Sequence, residues 1–123
     1  MNDGVRYTVE EADALLPELR ERLPRLRAAR AALVDASERI SDAVAADGGG
    51  VAGSEWFAAQ QALRAELEWL IERDILLRDP QSGLVDFPSE RDGAPVYLCW
   101  RVDEDRVAHF HGERAGFAGR TPL

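Results

Sequence analysis

The stretch GLVDFPSERDGAPVYLCWRVDEDRVAHFHGERAGFAGR, Gly83 to Arg120, decides how this chain folds. It holds both histidines (His109, His111), the only cysteine (Cys99) and one of three tryptophans, Trp100. Pro95 to Val102 is rich in aromatic and branched residues and reads as the strongest strand. Leu84 to Phe87 reads as a shorter strand stopped by Pro88, with Arg91-Asp92-Gly93 as the turn between them. Asp103-Glu104-Asp105 then turns the chain into a third strand, Arg106 to His111. Alternation puts Val96, Leu98, Trp100 and Val102 on one face and Tyr97, Cys99 and Arg101 on the other. In the last strand Val107, His109 and His111 share a face, opposite Ala108 and Phe110.

The turn length sets which faces coincide. A loop of Asp103 to Asp105 pairs Val102 with Arg106, Leu98 with Phe110, Cys99 with His109 and Tyr97 with His111. A two-residue loop of Glu104-Asp105 shifts the pairing by one and moves the histidines beside Leu98 and Trp100. Asn-Gly or Gly-X, the usual two-residue turn chemistry, is missing there, which favours the first register. That register unites Leu98, Trp100, Ala108 and Phe110 as a core face.

Upstream, the periodicity changes from strand to helix. Val5 to Thr8 reads as an extended entry, and Thr8-Val9-Glu10-Glu11 fits a capping box. Pro17 interrupts the helix that follows, with a break near Leu16, and Pro24 is placed to kink it again. Leu19, Leu23, Leu26, Arg30, Leu33, Ser37, Ile40 and Val44 alternate spacings of four and three, the heptad seam of a coiled coil. Asp47-Gly48-Gly49-Gly50, continued by Val51-Ala52-Gly53, ends that helix as a mobile connection. Ser54 then caps a second long helix, Glu55 to Leu77, with the seam Trp56, Gln60, Leu63, Leu67, Leu70, Asp74 and Leu77. Trp69, Ile71, Ile75 and Leu76 widen its apolar face, which calls for cover by the sheet, by a partner chain or by both. Asp79-Pro80-Gln81-Ser82-Gly83 closes this helix as a turn. The fold class is therefore α+β: a long antiparallel helical hairpin packed with a small antiparallel sheet. The expectation is a single domain over 1–123, mainly helical over 1–78 and β-rich over 79–123.

The 123 residues are 46% hydrophobic, enough for one modest core. A formal charge of −8 argues against nucleic acid as a partner, because a phosphate backbone repels that mean field. Arg20, Arg22, Arg25, Arg27 and Arg30 form a basic run, but Glu18 and Glu21 interrupt it and helical spacing spreads it around the axis. No apolar run approaches the roughly 20 residues needed to cross a bilayer. The first residues show neither a basic leader nor an apolar signal core, so a cytoplasmic protein is expected. A single cysteine excludes an intrachain disulfide and any CxxC motif.

The candidate site lies on the histidine face. His109 and His111 project together at strand spacing, with Glu113 next along and Asp86 or Cys99 nearby. Such a set supplies three or four ligands to zinc, iron or nickel. The competing reading makes both histidines ordinary sheet residues hydrogen-bonded to acids such as Asp86. Cys99 beside His109 is also the only nucleophile-and-base pairing in reach, although a lone strand cysteine more commonly packs as a small hydrophobe. Arg101, Arg114 and Arg120 are placed to gather round an anion or to pair with the local acids. Tyr97, Cys99, Arg101 and Arg120 are the candidate ligand-binding residues; whether the protein is an enzyme stays open.

Four segments together resemble a known family: YTVEEADALLPELR (Tyr7 to Arg20), DPQSGLVDFP (Asp79 to Pro88), VYLCWR (Val96 to Arg101) and HFHGERAGFAGRTPL (His109 to Leu123). They are similar to the small prokaryotic proteins called domain of unknown function 2203. The resemblance implies a compact cytosolic bacterial or archaeal protein with no assigned activity. It also implies one histidine, at the position of His111, with an aromatic residue where this chain has His109. A site shared by the family would then centre on His111 with Asp86, Glu113 and Arg120. Two functions follow as expectations. One is binding of a divalent metal ion or small anion at a sheet site centred on His111. The other is a non-catalytic helical-hairpin module that forms a homodimer or docks a protein partner.

Overall fold

The structure, a computed structural model, describes residues 4–46 and 51–123. It is an α+β fold of long helices against a five-stranded antiparallel sheet. Helix α1 spans Val9–Ala14 and opens on the expected capping box: Thr8 Oγ1 accepts from the Glu11 amide at 3.0 Å, and Glu11 Oε1 accepts from the Thr8 amide at 2.9 Å. Leu15 caps α1, and α2 runs Leu16–Ala46, so Pro17 sits in the first turn where no amide is missed. Pro24 is held inside α2.

The buried stripe of α2 is Leu19, Leu23, Leu26, Ala29 and Ala36, with Leu33 and Ile40 half-buried. It departs from the expected seam, since Arg30 and Ser37 face solvent and two alanines take their places. The reason is size. An alanine lets the partner helix approach closely, whereas a buried Arg30 would bring a charge with no partner. Helix α3 spans Val51–Glu72 and packs along α2. Ser54 and Gly53 therefore lie inside α3 rather than before it; the first turn of a helix lacks amide bonds in any case, so glycine costs little there. The connection expected at Asp47 to Gly50 lies outside the described residues.

Helix α3 also stops earlier than Leu77. Asp74 adopts a left-handed φ of 57°, the Asp74 amide donates to the Ile71 carbonyl at 3.1 Å, and the Ile75 amide donates to that of Leu70 at 3.0 Å. This is a Schellman ending with an acid in the usual glycine position. Its hydrophobic partners, Leu70 and Ile75, are both buried. Asp74 and Leu77 therefore leave the helical seam, and Leu76–Asp79 becomes strand β1.

Strand β2 (Leu84–Arg91) returns antiparallel to β1, and β3 (Ala94–Arg101) pairs with β2 through the two-residue turn Asp92-Gly93, both with positive φ. Pro88 does not stop β2. Its carbonyl points away from β3 and accepts the Tyr7 amide at 2.8 Å, so the amide that proline lacks belongs to the same outward side. Strand β4 is His109–Gly112 and β5 is Thr121–Pro122, giving the order β1-β2-β3-β4-β5. The β3–β4 register pairs Tyr97 with His111, Leu98 with Phe110 and Cys99 with His109, as the three-residue loop implied. The loop itself is longer. Val102 to Ala108 leaves the sheet, because its polar groups bond elsewhere: the Val107 amide donates to Asp13 Oδ1 at 2.8 Å and Arg20 donates to the Asp105 carbonyl at 2.6 Å.

One face of the sheet meets the helices. Val85, Phe87, Leu98 and Trp100 are buried there with Leu16, Leu19, Leu23, Leu26 and Leu70, and Phe110 packs against them. Ala108 is not part of this face; its carbonyl accepts the Leu123 amide at 2.9 Å. No helix among the described residues is long and apolar enough to cross a membrane. Gly83, between β1 and β2, has φ +71°, and a Cβ on it would stand 2.8 Å from Val102 Cγ1. Gly83→Ala is therefore expected to cost about 2 kcal/mol in urea unfolding, from backbone strain and the clash together. A loss below about 0.5 kcal/mol would show that the Val102 loop gives way freely.

Candidate metal centre

The opposite face of the sheet carries the polar residues. Alternation along β2 and β3 turns Asp86 and Cys99 outward as direct cross-strand neighbours, and His109 continues their row on β4. His111 lies one row away and reaches diagonally. Its Nε2 is 2.9 Å from Asp86 Oδ2. One ligand atom each from Asp86, Cys99 and His111 lies within 4.8 Å of the other two. All three residues are at most 3% exposed.

His111 is bound on both sides. Its Nδ1 is 2.7 Å from the Gly112 carbonyl, which can only accept, so Nδ1 carries a proton and donates. That leaves Nε2 facing a carboxylate oxygen. Two lone pairs at such a distance repel unless a proton or a metal cation lies between them. Asp86 Oδ2 also accepts from Arg78 Nε at 2.8 Å, while Asp86 Oδ1 is buried with no hydrogen-bond partner. A buried carboxylate oxygen left unpaired costs on the order of 1–3 kcal/mol, and a bound cation would remove that cost.

The thiol of Cys99 is enclosed. Burial pushes its pKa up, and the Arg120 guanidinium, 3.8 Å from Sγ, opposes that only in part. The thiol form therefore dominates at neutral pH in the absence of a metal, and Cys99 is expected to resist iodoacetamide in native, chelator-treated protein and react only on unfolding. Alkylation at the rate of a free peptide thiol would show the site open. Arg120 is itself clamped by Glu104, with Nη2 to Oε2 at 2.5 Å and Nη1 to Oε1 at 3.2 Å. Burial by itself would raise the Glu104 carboxyl, but hydrogen bonds from Arg120 and the Arg101 amide hold it below its ordinary value. The tail is thereby fastened across the sheet.

The remaining candidates fall around this centre. Tyr97 stacks obliquely on His111 with ring centroids 5.6 Å apart. Arg101 pairs with Asp103 at 2.7 Å and lies over Phe117, so its charge is spent on the loop. Phe117 is 39% exposed beneath Arg101 and Arg120. Glu113 and Arg114 line a pocket of about 340 Å³ that opens onto Asp86, Cys99 and His111. His109 contributes no atom to the cluster, and its Nδ1 is buried without a partner. Arg78 is the residue the sequence concealed. It follows a stretch read as helix, and only the alternation of Leu76 and Arg78 beside the Asp79–Gly83 turn could have placed it next to Asp86.

Residues 6–123 match the family described as Uncharacterized conserved protein (DUF2203). The chain belongs to this family. Searches of curated proteins and of solved structures found no match.

Proposed function

We propose that the protein binds one divalent transition-metal ion through Asp86, Cys99 and His111. The observation that carries this reading is the contact between His111 Nε2 and Asp86 Oδ2, closed off by the Nδ1 bond to Gly112 and standing beside an unpartnered Asp86 oxygen. A backbone carbonyl on the far ring nitrogen is the outer-shell arrangement that orients a metal-ligating histidine. One sulfur, one nitrogen and one oxygen donor suit zinc, iron or nickel, and disfavour magnesium or calcium, which take oxygen ligands. Three protein ligands leave a position for an exogenous group.

Elemental analysis of purified protein should find close to one equivalent of metal. Chelator-treated protein should gain thermal stability across a zinc, iron(II) and nickel(II) series, and His111→Ala should lose both properties. Metal-free protein whose melting temperature ignores the whole series would remove this reading.

Val34, Phe57 and Ile71 on the helices are more than half exposed, which favours a second reading, a homodimer or partner contact through the α2–α3 hairpin. Light scattering tests it: a dimer that Phe57→Glu dissociates would support it, and a monomer across the concentration range would not.

A further inference from the structure

Resting on the metal reading, we propose that the open coordination position takes a small organic carboxylate. The pocket above the cluster has about 340 Å³, at the low end of small-molecule sites. Its lining combines cationic with apolar groups, Arg78 and Arg114 with Leu84 and Phe117. Arg78 spends only Nε on Asp86, and its two Nη groups make no hydrogen bond among the described residues. Arg114 has no ion pair among the described residues. A guanidinium edge presents parallel donors that match a carboxylate.

Charge points the same way. A divalent ion neutralises the Asp86 carboxylate and a Cys99 thiolate, and Arg120 is balanced by Glu104. Among the described residues that line the pocket, Arg78, Arg114 and Glu113 then remain as the charges, so a chain of net charge −8 presents a locally positive pocket. A monoanion meets that excess, with one carboxylate oxygen toward the metal and the other between Arg78 and Arg114, while Leu84 and Phe117 receive its apolar body. Glu113 is the competing occupant, since its own carboxylate stands at the same rim.

The test uses cobalt(II)-loaded full-length protein, with benzoate, inorganic phosphate and neutral benzamide as probes. Benzoate is expected to shift the cobalt visible spectrum saturably, and benzamide to leave it unchanged. Arg114→Gln should keep its cobalt and weaken benzoate about tenfold or more, the usual loss for a hydrogen bond to a charged group. Glu113→Gln should strengthen it. Bound cobalt whose spectrum ignores benzoate, or responds to phosphate alone, overturns the carboxylate assignment. Failure to bind cobalt at all refutes the metal reading instead, so the two failures are distinguishable.

Discussion

His111→Ala is expected to destabilise the metal-free protein by about 3 kcal/mol, the lower end for leaving a buried carboxylate short of a hydrogen-bonded partner. The lower end applies because Asp86 keeps Arg78 at 2.8 Å, and that arginine side chain is 43% exposed and able to follow the carboxylate. What the variant cannot restore is the second partner of Oδ2, and Oδ1 already lacks one. Urea unfolding in the presence of a chelator measures the loss. The double variant with Asp86→Ala should be less destabilised than the sum of the two singles, by roughly 1–3 kcal/mol, because the residues contact directly. Additive losses would mean that the two side chains do not interact as a pair in the metal-free protein.

Trp100→Ala should cost still more of the fold, about 3–5 kcal/mol, and lower the melting temperature by roughly 10–20 °C. Trp100 is fully buried on the helix face of β3 and pairs with Val85 across the sheet. Its indole nitrogen donates to the Glu104 carbonyl at 3.0 Å, and the Arg20 guanidinium lies 5.7 Å from the ring centre. One side chain thus joins α2, the sheet and the loop that holds Arg120. Truncation leaves a large cavity and removes the shorter of the two hydrogen bonds to the Glu104 carbonyl, Arg20 Nη2 at 3.4 Å being the other donor. Trp100→Phe should recover most of the packing but not the hydrogen bond, so a loss equal to that of alanine would assign the effect to Glu104 rather than to volume. Circular dichroism melts of the three proteins separate these outcomes.

Much of this arrangement is legible in the residues. The capping box at Thr8, the break before Pro17, the Asp92-Gly93 turn and the pairing of Cys99 with His109 follow from local chemistry. Local chemistry misleads where tertiary packing outweighs it. The helical period of Leu70, Asp74 and Leu77 continues past the end of α3, yet burial of Ile75 against the core and the left-handed turn at Asp74 convert the next residues to β1. The heptad reading of α2 placed Arg30 and Ser37 inward, and close contact with α3 selected Ala29 and Ala36 instead.

The candidate site divides along the same line. Sequence alone put Cys99 and His111 on one face of a small sheet, with Asp86 nearby, through the register favoured at the Asp103 to Asp105 turn, and it left a second register open. It also put His109 on that face, and only the resemblance to the family favoured His111 over it. The tertiary structure brings His111, and not His109, into the cluster with Asp86 and Cys99. The diagonal reach of His111 to Asp86, the Gly112 carbonyl behind its ring and the arrival of Arg78 from β1 depend on side-chain directions and on a strand that the helical pattern hid. Alternation specifies a face, but ligation requires a few ångströms, and those are set by which neighbours crowd each ring.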